Sequence, residues 1–416
     1  MSLAFSDINP VVERSVAGLR AIVSGGGIGG LAAALAVSRA GWDVRVLEKS
    51  AAFSGVGAGL QLGPNVVKVL HHWGLRDALS AHAAAPGRLQ VKSALTGELL
   101  AQLSLGPTMA LRYGAPYLTM HRADLHALLL AALRQTDARL YLDRSVQDFI
   151  QTDASVTVQP TDRLALECDA LIGADGLWSS VRSQLLGDGL PQRTGHLAYR
   201  ALVSQAGLPE SQRSNDVTVW LGPRMHVVHY PVRGGDWLNV VAFVHGQPDD
   251  AAPGAQGWDQ RASAAGLHAG LSGACTALRA RIEAVQDWSR WVMFDRPPVS
   301  SARQMANGRV ALLGDAAHPM RPYLAQGAGM AIEDAAALAR ALALADRSGN
   351  DVPERLQRYA QARWRRNARV QARALRNGVV FHADGVLRWG RDTALNMLGG
   401  RLLDMPWLYG GPPEGE

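Results

Sequence analysis

"LRAIVSGGGIGGLAAALAVSRAGWDVRVLEK", residues 19–49, decides the fold. Residues 19–24 read as a short buried strand. An Ala/Leu-rich helix follows over 28–41, closed by Gly41. Residues 43–48 read as a second strand. Strand, helix and strand within about 30 residues form a βαβ unit, which implies a parallel sheet.

The turn between the first strand and the helix carries Gly25-x-Gly27-x-x-Gly30. The first glycine permits the tight turn, the second lets backbone approach a pyrophosphate, and the third lets helix pack on strand. The start of the helix offers free N–H groups and a positive dipole end to phosphates. Glu48 closes the second strand, where an acidic side chain meets ribose hydroxyls and disfavours a 2′-phosphate; Lys49 adjoins it. These residues point to a bound dinucleotide. FAD and NAD(P) share the fingerprint, so other segments must separate them.

Downstream, "HRADLHALLLAALRQ" (121–135) reads as a helix. Two more apolar strands run into a carboxylate: "ECDALIGADGLWSSVR" (167–182) at Asp175-Gly176, and "RVALLGDAAHPMRPYLAQGAGMAIEDAAALARAL" (309–342) at Gly314-Asp315. From 194 to 245 the texture changes to short β-branched runs separated by turn residues, an antiparallel sheet. The stretch 255–287 is helix-friendly, and "RWRRNARVQARALR" (363–376) reads as a solvated Arg-rich helix face. The fold class is therefore α/β: a Rossmann-like nucleotide-binding domain with a parallel sheet, interrupted by a mainly antiparallel β substrate domain, plus C-terminal helices. The expected divisions are an extension over 1–17, the nucleotide domain over 18–190 with an insertion near 70–118, the substrate domain over 191–298, a second part of the nucleotide domain over 299–345, and a helical extension over 346–416.

Bulk properties narrow the function. The 416 residues are 48% hydrophobic and 19% charged, enough to bury a sizeable core. The net charge of +6 is nearly all arginine, with lysine only at positions 49, 68 and 92, and it favours anionic small molecules or cofactors. No aromatic–glycine motif for nucleic acid accompanies the basic run. Cys168 and Cys275 stand far apart without metal-ligand spacing, so no metal site or disulfide framework is expected. No signal peptide or membrane-length apolar run is visible, and a cytoplasmic protein without a membrane partner is expected.

The glycine set, "GADGLWSSVR" (173–182) and "LLGDAAHPMRPYLAQGAGMAIEDA" occur in an order and spacing that resemble the single-component FAD-dependent aromatic hydroxylases. The resemblance extends from about residue 19 to at least 345. It implies FAD as the bound cofactor, with NADH or NADPH as a transient reductant. It puts Asp175-Gly176 near the pyrophosphate and Gly314-Asp315 on the ribityl chain. Arg122 is implied to lie beside the flavin phosphates. The residues alone leave open that Asp175 and Asp315 cap the following turns and that Arg122 pairs with Asp124. The helix start at Gly327, Ala328, Gly329 and Met330 would face the ring, its N–H groups favouring the anionic reduced flavin, and "GVGAGLQ" (55–61) would line the other side.

"GPRMHVVHYPVRGG" (222–235) resembles a substrate-facing strand in family members acting on hydroxybenzoate and hydroxynicotinate. By period two, His226, Val228 and Tyr230 share a face and His229 points away. The resemblance implies that His226 and Tyr230 are catalytic, His226 accepting the proton of a phenol. Gln61, Pro322 and Tyr323 are pocket candidates at which the chain departs from those members. His318 reads as part of the loop carrying Asp315. The implied activity is hydroxylation of a small hydroxylated, carboxylated aromatic with O2 and NAD(P)H through a flavin C4a-hydroperoxide, by a monomer or homodimer. A hydroxynicotinate or hydroxypyridine hydroxylase and a non-catalytic FAD- or nucleotide-binding protein are the alternatives. A halogenase would need a Trp-x-Trp motif, and "WSRW" (288–291) has the wrong spacing.

Overall fold

The apolar run at the start of the chain forms its strand at Arg20–Ser24, every residue buried. It lies inside a six-stranded sheet ordered Ala306–Asn307, Val310–Leu312, Ala170–Gly173, Arg20–Ser24, Asp43–Leu47 and Arg139–Tyr141. All neighbours are parallel except the outermost pair, 306–307 against 310–312. The computed structural model describes residues 18–53, 57–162, 164–246, 260–261, 263–343 and 351–411. The expected extension over 1–17, and Gly55 and Val56 of the ring-lining segment, lie outside them.

Helix Ile28–Arg39 is rich in alanine because it is covered on two sides, by the helices Arg122–Leu133 and Gly327–Leu342. Its small side chains permit that close approach, and a Cβ on Gly29 would already crowd Leu313 and Ala331. A small antiparallel sheet of Val146–Gln151, Val156–Pro160 and Leu166–Cys168 flanks this layer.

A second sheet has eight strands, ordered Gln260–Arg261, Ser289–Asp295, Gln192–Ser204, Trp237–His245, Met225–Val232, Val217–Gly222, Arg88–Ser93 and Leu99–Ser104. It is antiparallel except where 217–222 runs parallel to 88–93. Residues 88–104, inserted between parts of the first layer, thus complete this sheet. One face packs Leu197, Tyr199, Val227 and Val240 against the short helices Ala265–Gly270 and Thr276–Glu283. The other face carries His226, Val228, Tyr230, Val241 and Phe243 and looks toward the first layer.

The Arg-rich run behaves differently from a solvated face. It belongs to the 30-residue helix Val352–Phe381, which packs along 327–342. Arg363 is 1% exposed. Its guanidinium meets Asp334 at 2.7 Å and Glu333 at 2.9 Å, and Arg366 meets Glu333 at 2.7 Å. Burial alone would raise both carboxyls. Arg363 and Arg366 hold Glu333 below its usual range, and His318 and Arg363 do the same for Asp334. Among the described residues no helix is long and apolar enough to cross a membrane.

Candidate active site

The glycine turn has the geometry of a phosphate cradle. Gly25 has φ +102°, and a Cβ there would lie 2.5 Å from the Ala174 carbonyl oxygen. A Cβ on Gly30 would lie 1.9 Å from the Gly25 carbonyl oxygen, so only glycine lets this helix meet its strand. Gly27, at the cap of the helix, faces open space and makes no side-chain cap bond. Glu48 accepts a hydrogen bond from the Gly26 N–H at 2.6 Å and one from Ser50 N–H at 2.9 Å. Lys49 is exposed beside it.

The two aspartates at the strand ends differ. Asp175 accepts from Ser179 Oγ at 2.5 Å, Ser180 N–H at 3.0 Å and Val181 N–H at 3.3 Å. Its carboxylate takes up the first N–H groups of helix Ser180–Leu186. Burial raises its carboxyl above the usual range, and those hydrogen bonds oppose the shift. Gly176, at φ +80°, makes the turn and faces open space.

Asp315 has no hydrogen-bond partner among the described residues. It is open to solvent yet enclosed by protein, so it lines the wall of a cleft, where burial raises its carboxyl above the usual range against His318 and Arg122. Other groups hold its loop. Asp334 accepts from the Gly314 N–H at 3.3 Å and meets His318 Nε2 at 2.5 Å, and Arg182 donates to the carbonyls of Ala316 and Ala317 at 3.0 and 2.5 Å. Arg122 is half-buried beside the same cleft; Asp124 pairs instead with Arg233 at 3.1 Å.

Helix Gly327–Leu342 begins without a side-chain cap, Gly327 and Ala328 half-buried at its start and Asp315 Oδ1 3.9 Å from a Cβ placed on Gly327. Gly329 faces Val66, 2.7 Å from its ideal Cβ, so its missing side chain serves helix packing. Met330 is fully buried in an apolar cluster with Tyr230 and Leu324.

The sheet face opposite brings the remaining candidates together. A Cβ on Gly59 would lie 2.5 Å from the Tyr230 ring, so Tyr230 meets the strand Gly59–Leu62 that carries Gln61. Tyr117 donates to Gln61 Oε1 at 2.6 Å. Burial keeps the Tyr230 hydroxyl protonated well past its usual range, with Gln61 opposing; Tyr117 is raised in the same sense by burial and by Tyr409 and Tyr230. His226 stacks on Phe243 at 4.4 Å and meets Tyr323 edge-on at 4.9 Å. Its Nδ1 hydrogen-bonds His382 Nε2 at 2.6 Å. Burial, then His382 and His196, push its pKa well below the ordinary value, so it is a neutral acceptor. His229 points to the opposite face, buried without a partner among the described residues. Pro322, expected in the pocket, is exposed; its neighbour Tyr323 is buried. The difference follows from the one-turn 3-10 helix Pro322–Leu324, which sends consecutive side chains to different sides.

Five contributors escape sequence reasoning. Tyr117 stands outside every motif, although the strand it precedes, Leu118–His121, pairs with the strand of Gln61. Glu333 and Asp334 sit within the third motif without an assigned role, and the arginine run downstream is the signal that would have paired them. Arg182 closes the second motif and ties it to the third. His382 ends a long helix and has no local signature.

A phosphate cradle with an open helix cap and an unengaged carboxylate in a cleft between sheets suit FAD, whose pyrophosphate and ribityl hydroxyls need those two groups. Comparison with known proteins agrees. Residues 19–374 match the family described as FAD binding domain. The chain is 38% identical over 397 residues to a 3-hydroxybenzoate 6-hydroxylase of Polaromonas naphthalenivorans, covering 95% of this chain and 96% of that protein. It is 38% identical over 322 residues to a 6-hydroxynicotinate 3-monooxygenase of Bordetella bronchiseptica, covering 77% and 82%. Among solved structures, a salicylate hydroxylase substrate complex superposes with a TM-score of 0.77 at 27% identity, over 97% of this chain and 100% of that one. HpxO of Klebsiella pneumoniae, solved with FAD and uric acid, superposes at 0.80 and 27% identity, over 92% and 94%. The matches span nearly the whole chain, and the chain belongs to the FAD-dependent monooxygenases of the aromatic-hydroxylase family.

Proposed function

We propose that the chain is a cytoplasmic hydroxylase of a small phenolic aromatic acid, of the hydroxybenzoate type, using O2 and NADH or NADPH. The observation that carries this reading is the pairing of a neutral, buried His226 with Tyr230 on the sheet face that looks toward the Asp315 cleft. The two residues lie four apart on one strand, about 13 Å along it. A carboxylated phenol placed between them meets an imidazole at its hydroxyl and the Tyr230–Gln61–Tyr117 group at its far end.

Gly25, Gly27 and Gly30 would hold the pyrophosphate, Glu48 the ribose, and Asp315 with Arg122 the ribityl and phosphate middle. When bound, FAD supplies oxygen transfer to the ring. The protein's part is binding and proton handling. His226 Nε2, unpartnered among the described residues, takes the phenol proton, and loss of that proton enriches the ring ortho and para to oxygen. Tyr230 and Tyr117 stay protonated and donate. The apolar walls Val241, Phe243 and Met293 keep water out. The nicotinamide donor binds transiently, because the sequence has no second dinucleotide fingerprint. A hydroxypyridine acid is the second reading, supported by the hydroxynicotinate relative.

His226→Ala tests the assignment. The variant keeps FAD, but coupled hydroxylation falls by about 10²–10⁴-fold, the range of a positioned acid–base group. Its residual rate rises with pH from 6 to 9, as a phenol of pKa about 10 ionises unaided. Substrate candidates are hydroxybenzoates and hydroxypyridine carboxylates, scored for NAD(P)H consumption and peroxide release together. Product formation that matches wild type across that pH range removes His226 from the chemistry.

A further inference from the structure

His226 does not stand alone. Its Nδ1 bonds His382 Nε2 at 2.6 Å, and His382 Nδ1 bonds His245 Nε2 at 2.9 Å. Three separate elements supply the chain: the start of strand 225–232, the end of helix 352–381 and the end of strand 237–245. Exposure rises along it, from 1% at His226 through 7% at His382 to a half-buried His245. The turn residue Arg224 ties His382 to His245, its N–H donating to the His382 carbonyl at 3.1 Å and its carbonyl accepting from the His245 N–H at 3.1 Å. Arg391 ties down the same helix end through the carbonyls of Val380 and Phe381.

The geometry points to a histidine relay, His226–His382–His245, that moves the substrate's phenolic proton from the buried pocket to solvent. The inference rests on the reading of His226 as the base. In the resting arrangement each imidazole is neutral, with its N–H on Nδ1 and its lone pair on Nε2. The phenol O–H bond breaks as an N–H bond forms at His226 Nε2. The His226 Nδ1 proton passes to His382 Nε2, the His382 Nδ1 proton to His245 Nε2, and the His245 Nδ1 proton to water. Charge balances: one proton leaves, and the substrate is left as a phenolate. A proton taken up by the hydroxylated product along the reverse path restores the resting tautomers.

The surroundings suit transfer and oppose storage. Burial, then the neighbouring imidazoles of His196 and His245, then Arg321 and Arg391, push His382 down to about 3. His245 is lowered by burial, Arg224 and Arg321, and His196 falls to about 4 through burial, His245 and Arg321. A proton that enters is therefore passed on. The groups facing the relay from other elements are Tyr323 and Arg321 on the loop after Asp315, His196 on strand 192–204, Arg224 in its turn and Arg391 on helix 385–398. Two carboxylates beside these groups are already paired, Asp295 with Arg321 at 2.6 Å and Asp392 with Arg391 at 2.8 Å. One ring nitrogen from each of His196, His245 and His382 lies within 4.8 Å of the others, but the arginines around them oppose a cation.

The test mixes oxidised holoenzyme with the hydroxybenzoate that most stimulates NAD(P)H oxidation. It follows phenolate absorbance and, with a pH indicator, proton release. His382→Gln should bind FAD and ligand as wild type but release the proton about a hundredfold more slowly, at the low end for a positioned acid–base group. His245→Ala should be slowed in the same way and recover with added imidazole, which a merely structural role would not allow. His226→Gln should leave the bound phenol un-ionised. Wild-type release rates in His382→Gln, with His226→Gln still blocked, overturn the relay and leave the base assignment standing. Wild-type ionisation in His226→Gln overturns both.

Discussion

Two neighbouring strands of one sheet end alike, and the outcomes differ. Ala170–Gly173 and Val310–Leu312 are parallel partners in register, and each runs into an aspartate at its carboxyl end. Asp175 is followed by Ser179, Ser180 and Val181, whose hydroxyls and N–H groups take up its carboxylate. Asp315 is followed by Ala316, Ala317, His318 and Pro319, and the next long helix begins only at Gly327. Nothing adjacent claims its oxygens. A second acid, Asp334, does for the Gly314 loop what Asp175 does for its own helix, accepting the Gly314 N–H and holding His318. A strand-end carboxylate is thus available to a ligand only when another group holds its backbone.

The largest way to break this contrast is to remove the group that holds Asp334. Arg363 is buried against Asp334 and Glu333, with Asn367 and Asn65 completing their hydrogen bonds at 2.9 and 2.8 Å. Arg363→Ala breaks two buried ion pairs, leaving Glu333 to Arg366 and Asn65, and Asp334 to His318 and Asn367. Breaking a buried pair costs about 3–5 kcal/mol. Denaturant unfolding should show that loss. FAD retention should fall with it, because the Gly314–His318 loop depends on Asp334. Loss of stability below about 1 kcal/mol would mean that the Arg-rich helix is solvated after all.

The next effect is confined to the cofactor. Asp315→Ala removes a charged acceptor for ribityl hydroxyls, and hydrogen bonds to charged groups contribute about 1.5–3 kcal/mol. FAD affinity should drop by roughly 10- to 150-fold, while the apo protein unfolds at an unchanged or slightly raised denaturant concentration. Burial of its carboxyl already raises its pKa, so removing it relieves desolvation in the empty cleft. Full flavin occupancy after dialysis of the variant would count against the role of Asp315.

Much of this was legible before any coordinates. The glycine spacing, the strand ahead of it and Glu48 behind it specify local geometry, and local geometry is what a sequence states directly. The face shared by His226 and Tyr230 follows from the two-residue period of a strand. Long-range pairing was not legible. The arginines at 363 and 366 repeat at helical spacing and look like a solvated stripe until Glu333 and Asp334, about 30 residues away, are placed against them. The close packing of Gly329 on Val66, and of Met330 in a cluster with Tyr230 and Leu324, joins positions far apart in sequence or on different elements. His382 reaches His226 across 156 positions, and no local pattern announces such a contact.

The smallest effect separates the two aspartates most cleanly. Asp175→Ala removes a helix-start acceptor, a change of about 0.5–2 kcal/mol, typically about 1. Asp175→Asn keeps an acceptor oxygen for Ser180 and Val181 and should recover most of that loss. Neither variant should weaken FAD binding by more than about twofold, roughly 0.4 kcal/mol, because the carboxylate already faces its own helix. Asp315→Asn should behave in the opposite way, with unchanged unfolding and weakened FAD binding. If Asp175→Ala instead loses FAD as steeply as Asp315→Ala, the cap must open when the cofactor arrives. The two strand ends would then be one binding surface, and the distinction between holding a loop and holding a ligand would disappear.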